Sequence, residues 1–306
     1  MDNSAKNRNQ YIDLIKLFAC LFITNSHCPY NNALLKIGGG WGNAIFFIVA
    51  GYLISGIQSA FIPWIKKRCM RVLPLTIIMT ILAAFVYGVS KHNFYYHATR
   101  FWFVIAIVIY YIFFYAVDVT KQGYVIVFIL HIVGYIALYI VNYKNELFIE
   151  LGGLSFFKVY FYFMLMIVGG IIKKYFSKTR INVLLSYLLG AFGLTFWTFE
   201  YYFIKVKGVM FSSQFMIHVG VVIFAISVLF WAIEMNQRYN KTLPMISYWK
   251  LVADSTLEIY LVQITALPLV SYAKHPISII WFWAVAIIGG ILLHQIVGII
   301  QKVKRE

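Results

Sequence analysis

The sequence has little charge and few cysteines. Only 12% of its 306 residues are charged, against about 25% in a soluble domain, while 62% are hydrophobic. A water-soluble fold would have too little polar surface to cover such a core, which excludes a soluble globular enzyme. The same arithmetic excludes a disordered chain. Three scattered cysteines are too few for a disulfide framework or a metal cluster, so we expect no metal site.

The charge that is present is mostly positive. Lys and Arg number 26 against 10 Asp and Glu, which gives a formal net charge of +16. On a soluble chain this balance would indicate nucleic acid. Cytoplasmic loops of membrane proteins collect Lys and Arg beside anionic lipid, so we expect membrane lipid as the partner and no nucleic acid. At about 20 residues for each span, the chain has room for roughly ten to twelve helices.

Apolar runs bounded by charge, Gly, Pro or Asn predict an all-α, polytopic integral membrane protein with about ten transmembrane helices. The third run would begin at Pro74, because a first helical turn tolerates proline. The fourth and fifth runs are separated by three residues, which predicts a tight helical hairpin. With no internal repeat or linker, we predict a single domain over 1–306. The runs are at about 11–28, 41–60, 73–90, 101–119, 123–142, 154–172, 181–204, 214–235, 251–272 and 277–300.

The distribution of Lys and Arg predicts the orientation. If the N-terminus is cytoplasmic, the inside segments hold roughly twice as many Lys and Arg residues as the outside segments. An odd number of spans would scramble this asymmetry. We therefore predict that both termini are cytoplasmic, in a multi-pass protein of the cell inner (plasma) membrane.

The first helix carries ionisable residues, which are functional candidates wherever they lie in a membrane span. Lys16 and His27 are 11 residues apart and return to within roughly 20° of one helix face. Asp13 lies three residues before Lys16 on that face, and Asn25 and Ser26 add polar atoms beside His27. The alternative is that Asp13 and Lys16 pair at the interface while His27 sits among headgroups.

A second polar cluster is basic and lies at 66–71. Arg68 and Arg71, at positions i and i+3, share a helix face, and paired guanidinium groups make bidentate contacts to phosphate. A topology signal for the cytoplasmic side would fit the same composition. Together with the first helix, the layout favours group transfer from a phosphate-bearing donor held inside.

Other polar residues give weaker signals. Glu200 lies near the outer end of its run and could touch an acceptor, and an unusually polar helix start holds Asp254, Ser255, Glu258, Tyr260 and Gln263. Three single histidines are expected to be hydrogen-bonded packing residues: His131, His218 and His294.

Five blocks resemble, in order, the motifs of the acyltransferase 3 family. YIDLIKLFACLFITNSH resembles its first-helix motif and FFIVAGYLIS at 46–55 its second, with Ala50 where Ser is usual. KKRCMRVLP resembles its basic motif, RFWFVIAIVIYY at 100–111 its Trp block, and STLEIYLVQ at 255–263 its late-helix motif. The chain departs from the family at three positions, with Lys16 for Arg, Arg100 for His and Gln263 for His. Because it ends at QKVKRE, it resembles the members without a soluble C-terminal domain.

The resemblance implies an O-acyltransferase, an enzyme that transfers groups other than aminoacyl groups, using acetyl-CoA or another acyl-CoA. His27 would be the catalytic general base, and Asp13, Lys16, Arg68 and Arg71 would bind the donor. The acceptor would be a surface glycan or a lipid-linked saccharide. Expected substrate contacts are Asn25, Trp102, Glu200, Ser255, Tyr260 and Gln263.

Two other classes compete with this interpretation. A multipass transporter or flippase for a lipid or glycan suits ten spans and scattered charge, but such proteins often show repeats or paired broken helices, which this sequence lacks. A structural membrane subunit explains neither the Lys16–His27 spacing nor the arginine pair. The oligomeric state, the acceptor and the acyl group are left open.

Overall fold

A computed structural model describes residues 9–30, 35–87, 101–120, 123–149, 155–239, 244–271 and 275–303. These residues form eleven α-helices and no strand, which confirms the all-α prediction. A π-helical segment, Ile172–Phe176, follows the sixth helix, and a 3₁₀ turn, Phe211–Ser213, precedes the eighth. The helices are α1 (Gln10–His27), α2 (Gly39–Ile54), α3 (Phe61–Tyr87), α4 (Trp102–Val119), α5 (Gly123–Asn142), α6 (Phe156–Ile171), α7 (Val183–Lys205), α8 (Phe215–Arg238), α9 (Pro244–Asp254), α10 (Thr256–Ser271) and α11 (Ile277–Val303).

Seven helical stretches in the described ranges are long and apolar enough to cross a membrane. α2 and residues 256–267 are apolar but shorter, and α1 carries too many polar residues to join the seven. A multi-pass membrane protein follows from these lengths, whereas the count of about ten spans stays a prediction. The cytoplasmic termini also stay predictions, since residues 1–8 and 304–306 lie outside the described part. The seven stretches are Phe61–Val86, Trp102–Val119, Gly123–Asn142, Phe156–Phe176, Val183–Lys205, Phe211–Arg238 and Ile277–Ile300.

The predicted helix start at Pro74 is wrong. α3 is continuous from Phe61, so Pro63 occupies the first turn and Pro74 lies in the helix interior. An interior proline costs about 3 kcal/mol because it removes a hydrogen bond and crowds the preceding turn. The helix nevertheless continues through Pro74 to Tyr87. The basic cluster at 66–71 is therefore helical over its whole length.

The predicted run at 251–272 is two helices. Ser255 separates α9 from α10, and its Oγ donates to the carbonyl oxygen of Leu251 at 2.7 Å. A serine that bonds the preceding turn in this way offers the backbone an alternative to a continuing helix. The second run also ends early, at Ile54, since Gly56 adopts a φ of +87° that favours glycine.

The described residues form two compact units. The first comprises those within 1–42, 74–101 and 236–306, and the second comprises 43–73 and 102–235. In the first unit, α1 packs against α9 and α10, and α10 packs against α11. The prediction of a single domain over 1–306 is not decided by this division.

In the second unit, α2 lies directly against α6. A Cβ atom at Gly51 would collide with the backbone carbonyl of Met166, and one at Gly169 with that of Ile48. Glycine at these positions allows the two backbones to approach, as small residues do in membrane helix pairs. Beside this contact, Phe47 is fully buried, with its ring centroid 4.7 Å from that of Phe103.

The predicted hairpin of the fourth and fifth runs is confirmed. α4 ends at Val119, α5 begins at Gly123, and the two helices pack against each other. The linking residues 121–122 lie outside the described part.

Candidate active site

Asn9 caps the N-terminus of α1. The Asn9 side-chain oxygen accepts hydrogen bonds from the backbone N–H groups of Tyr11 and Ile12, at 3.0 and 3.1 Å. Such a cap satisfies donors that a helix start otherwise leaves unpaired.

Asp13 and Lys16 form an ion pair on this helix. Lys16 Nζ lies 3.6 Å from Asp13 Oδ1, and the Asp13 side chain is 10% exposed against 22% for Lys16. The pairing that the sequence offered as one alternative therefore exists. A donor-binding role for the same residues stays a prediction.

His27 ends α1, with its imidazole half-buried. Its Nδ1 lies 2.9 Å from the carbonyl oxygen of Ile23 and 3.5 Å from Ser26 Oγ. A carbonyl can only accept, so Nδ1 carries the proton and the lone pair of the neutral ring is at Nε2. The partial negative charge of a helix C-terminus stabilises the imidazolium that forms when Nε2 takes up a proton. This geometry is suited to a general base.

Asn25 holds the chain that follows α1. Its side-chain amide donates to the carbonyl oxygens of Leu35 and Ile37, at 2.8 and 2.9 Å, and its oxygen accepts from the Tyr30 hydroxyl at 2.8 Å. These bonds fold the residues before α2 back over the end of α1.

Cys28 is a packing residue. It is fully buried against Phe282, in an apolar cluster that disfavours a charged thiolate. A thiolate is the reactive form of cysteine, so Cys28 is a poor nucleophile beside His27.

In the second unit, the basic cluster occupies the start of α3. The Arg68 guanidinium carbon lies 4.7 Å from the centroid of the Trp64 ring and 5.6 Å from that of Tyr111, and the side chain is half-buried. Arg71, one turn further, is exposed, as are Lys66 and Lys67. Stacking on an aromatic ring leaves the edge N–H groups of a guanidinium available to an anion.

Two expected substrate contacts of the second unit are buried. Trp102, at the start of α4, is 7% exposed, and Lys158 Nζ lies 4.5 Å from its ring centroid. Glu200, on α7, is 4% exposed and accepts a hydrogen bond from Ser213 Oγ at 3.1 Å. Arg100, where the family has His, lies outside the described residues.

The break at Ser255 lies at the start of the late-helix block, and α10 carries the block from Thr256 onward. Glu258 Oε1, on α10, lies 3.0 Å from His294 Nδ1 on α11. The Tyr260 ring meets Phe101 edge to face at 6.5 Å. Gln263 is 0% exposed, and neither atom of its amide has a hydrogen-bond partner in the described part of the chain.

Two further histidines have hydrogen-bond partners inside the second unit. His218 Nδ1 lies 2.8 Å from the Tyr135 hydroxyl, and its ring stacks on Phe161. His131 Nδ1 lies 3.2 Å from the carbonyl oxygen of Val127, and its ring stacks on Tyr160. Together with the Glu258–His294 pair, this confirms the predicted hydrogen bond for each of the three single histidines.

Sequence reasoning missed Asp118, which closes α4. Its carboxylate accepts from Ser55 Oγ and from the backbone N–H groups of Gly56 and Ile57, at 2.6 to 3.1 Å, and from the Tyr124 hydroxyl. It therefore fixes the turn between α2 and α3. The sequence did contain a signal for it, because an acidic residue inside an apolar run needs polar partners.

Glu234, on α8, was missed in the same way. It is 2% exposed and accepts from the backbone N–H of Ile181 at 2.9 Å, just before α7. Among the described residues, no three His, Cys, Asp or Glu side chains come together as a metal-binding group.

These features define a multi-pass, all-helical membrane protein whose first helix ends in a half-buried histidine with its lone pair at Nε2. A family model described as an acyltransferase domain matches residues 9–297 of the chain. The chain therefore belongs to the acyltransferase 3 family, as its motifs predicted. No curated protein and no solved structure matches it in the same comparisons.

Proposed function

We propose that this acyltransferase is an O-acetyltransferase of the cell inner (plasma) membrane. It moves an acetyl group from cytosolic acetyl-CoA to a hydroxyl of a surface glycan or of its lipid-linked precursor. Family membership supplies the reaction class, and the single observation that supports a catalytic base for it is the hydrogen-bonded imidazole of His27.

In the proposed reaction, His27 Nε2 removes the proton from the acceptor hydroxyl. The hydroxyl oxygen attacks the thioester carbonyl, the tetrahedral intermediate collapses, and the carbon–sulfur bond breaks. The imidazolium returns its proton to the departing thiolate, which leaves as coenzyme A. General base catalysis of this kind contributes about 10²–10⁴-fold to a rate.

The donor is recognised through its phosphates. Arg68 and Arg71 bind them, with Arg68 held in position by stacking on Trp64. Lys16, paired with Asp13, adds a positive charge along α1 about 16 Å before His27.

The remaining expected contacts serve the acceptor in different ways. Asn25 shapes the residues beside His27 through its backbone bonds. Glu200 is 4% exposed and would act on the acceptor through Ser213, whose hydroxyl donates to its carboxylate. Trp102, Ser255 and Tyr260 are buried and would act through shape.

Release of free coenzyme A thiol by the purified protein tests the proposal. With acetyl-CoA and the host's own glycans, we expect thiol release and ester-linked acetate in equal amounts. A multipass transporter or flippase would instead move glycan or lipid across vesicles without acyl-CoA and release no thiol. That result would overturn the proposal.

A further inference from the structure

α1 and α10 run in the same direction, side by side in the first unit. The Cys20 thiol approaches the carbonyl oxygen of Thr256 at 3.9 Å, and further along Leu267 packs against the small core that contains Cys28. From the first contact to the second, the residue numbers increase on both helices. The two helices are therefore parallel neighbours over this stretch.

Gln263 lies between these two contacts on the same side of α10. It follows Thr256 by seven residues and precedes Leu267 by four, spacings that return to one helix face. Counting from either contact places it level with the stretch of α1 from Thr24 to His27. Gln263 is therefore on the α1 side of α10, at or just before the level of the proposed base.

The amide of Gln263 is unsatisfied within the described part of the chain. The side chain is 0% exposed, and neither Oε1 nor Nε2 has a hydrogen-bond partner there. Two hydroxyls of the same segment are paired: Thr265 Oγ1 donates to the carbonyl of Leu261, and Ser255 Oγ to that of Leu251. Within the same described residues, Glu258 has one oxygen paired with His294 and one buried without a partner, so Gln263 is the side chain of these four with no hydrogen bond at all. A buried amide without partners is costly, and burial of this kind points to a ligand.

The missing partner must both donate and accept a hydrogen bond in an uncharged environment. A secondary amide does this with its N–H and C=O groups, and it pairs with a primary carboxamide through two hydrogen bonds. The pantetheine arm of an acyl-CoA carries secondary amides close to its thioester. If Lys16 neutralises a donor phosphate and the thioester reaches Nε2, as proposed above, the arm lies along α1 between Lys16 and His27.

We propose that Gln263 binds an amide of the pantetheine arm of the acyl-CoA donor. This assignment rests on the proposed function and places Gln263 on the donor and not on the glycan. It is a binding contact that sets how far the thioester advances toward His27.

The test compares Gln263→Met with the wild type on two donors. One is acetyl-CoA, and the other is the acetyl thioester of 2-mercaptoethanol, which has no amide. The KM for acetyl-CoA should rise about tenfold, as expected for two lost neutral hydrogen bonds, while kcat/KM for the short thioester stays unchanged. The control is Thr265→Val on the same helix, which should leave both values at the wild-type level.

A melting experiment gives a readout that does not depend on activity. Without ligand, Gln263→Met should melt above the wild type because it removes a buried unsatisfied amide. Coenzyme A should raise the Tm of Gln263→Met less than that of the wild type.

Three outcomes contradict the assignment. Equal losses on both donors would make Gln263 a structural residue, a shifted KM for the glycan alone would place it at the acceptor, and equal stabilisation by coenzyme A would remove the contact. A wild type that uses neither thioester and is not stabilised by coenzyme A would overturn the proposed function itself, together with this assignment.

Discussion

Lys16, which pairs with Asp13, has two possible roles. With its ammonium 3.6 Å from the carboxylate, Lys16 either stabilises the N-terminal part of α1 or neutralises donor phosphate. In the family this position is an arginine, whose planar fork binds anions bidentately, whereas lysine acts as a point charge.

If Lys16 binds the donor, Lys16→Arg should be tolerated and Lys16→Met should raise the KM for acetyl-CoA. If the pair is only structural, Lys16→Met should lower the Tm without changing the KM, and adding Asp13→Asn should restore the Tm. Steady-state kinetics and melting curves on these three variants measure both quantities. A flat KM across the set would remove Lys16 from the donor site.

His27 illustrates what a sequence can and cannot specify about one side chain. Its place on a polar face of a membrane helix follows from spacing alone. The tautomer does not, because it depends on the contact between Nδ1 and the Ile23 carbonyl, an oxygen that also accepts from Ser26 Oγ at 2.7 Å. Gln263 is similar. The sequence shows a glutamine where the family has a histidine, but it does not show that the amide is buried without a hydrogen-bond partner among the described residues.

Among the helices, α3 carries the proposed phosphate contacts. Charge-assisted hydrogen bonds contribute about 1.5–3 kcal/mol each, so Arg68→Gln or Arg71→Gln should weaken coenzyme A binding by about one to two orders of magnitude. Trp64→Leu should weaken it less, because it frees the Arg68 guanidinium without removing it.

Calorimetry with coenzyme A and with dephospho-coenzyme A measures these effects and shows which phosphate each arginine contacts. Lys67→Gln, an exposed neighbour in the same basic cluster, is the matched control for general loss of charge. If both arginine variants bind coenzyme A with unchanged affinity, the cluster is only a signal for membrane orientation.

Asp118 holds together the end of α4, the turn after α2 and the start of α5. Asp118→Asn keeps one acceptor oxygen but removes the charge and leaves backbone N–H groups of the turn unpaired, so the free energy of unfolding should fall by about 1–3 kcal/mol. The matched control is Glu146→Gln, which breaks an exposed pair with Lys144 and should change stability by less than about 0.5 kcal/mol. Equal melting of both variants would show that the Asp118 bonds contribute nothing.

The helices differ in how well their bounds could be read from the sequence. The ends of α4 and α5 agree with prediction to within one residue because a short polar break interrupts two long apolar runs. Pro74 and Ser255 were misread for opposite reasons. α3 continues through a proline that was expected to start a helix, and a break falls at Ser255, whose hydroxyl bonds the preceding turn, inside a run that hydrophobicity alone would have continued.

For the molecule as a whole, orientation is the largest open prediction. The excess of Lys and Arg in alternate segments predicts that the loop before α6 faces outward and the loop after it inward. Single cysteines at Asn145 and Lys178, both exposed, report on these loops in a Cys69→Ser background. A membrane-impermeant maleimide should label Asn145→Cys in intact cells and Lys178→Cys only after permeabilisation. The reverse pattern would contradict the predicted orientation.

Sealed vesicles that contain host glycan offer the most direct test of acyl transfer. Radiolabelled acetyl-CoA is supplied at the cytoplasmic face, and the variants are His27→Ala and, as a matched loss of a half-buried imidazole, His131→Ala. The wild type and His131→Ala should place base-labile label on the glycan, and His27→Ala should do so 10²–10⁴-fold more slowly at equal membrane expression. Label transferred by His27→Ala at the wild-type rate, or no transfer by the wild type, would contradict the account.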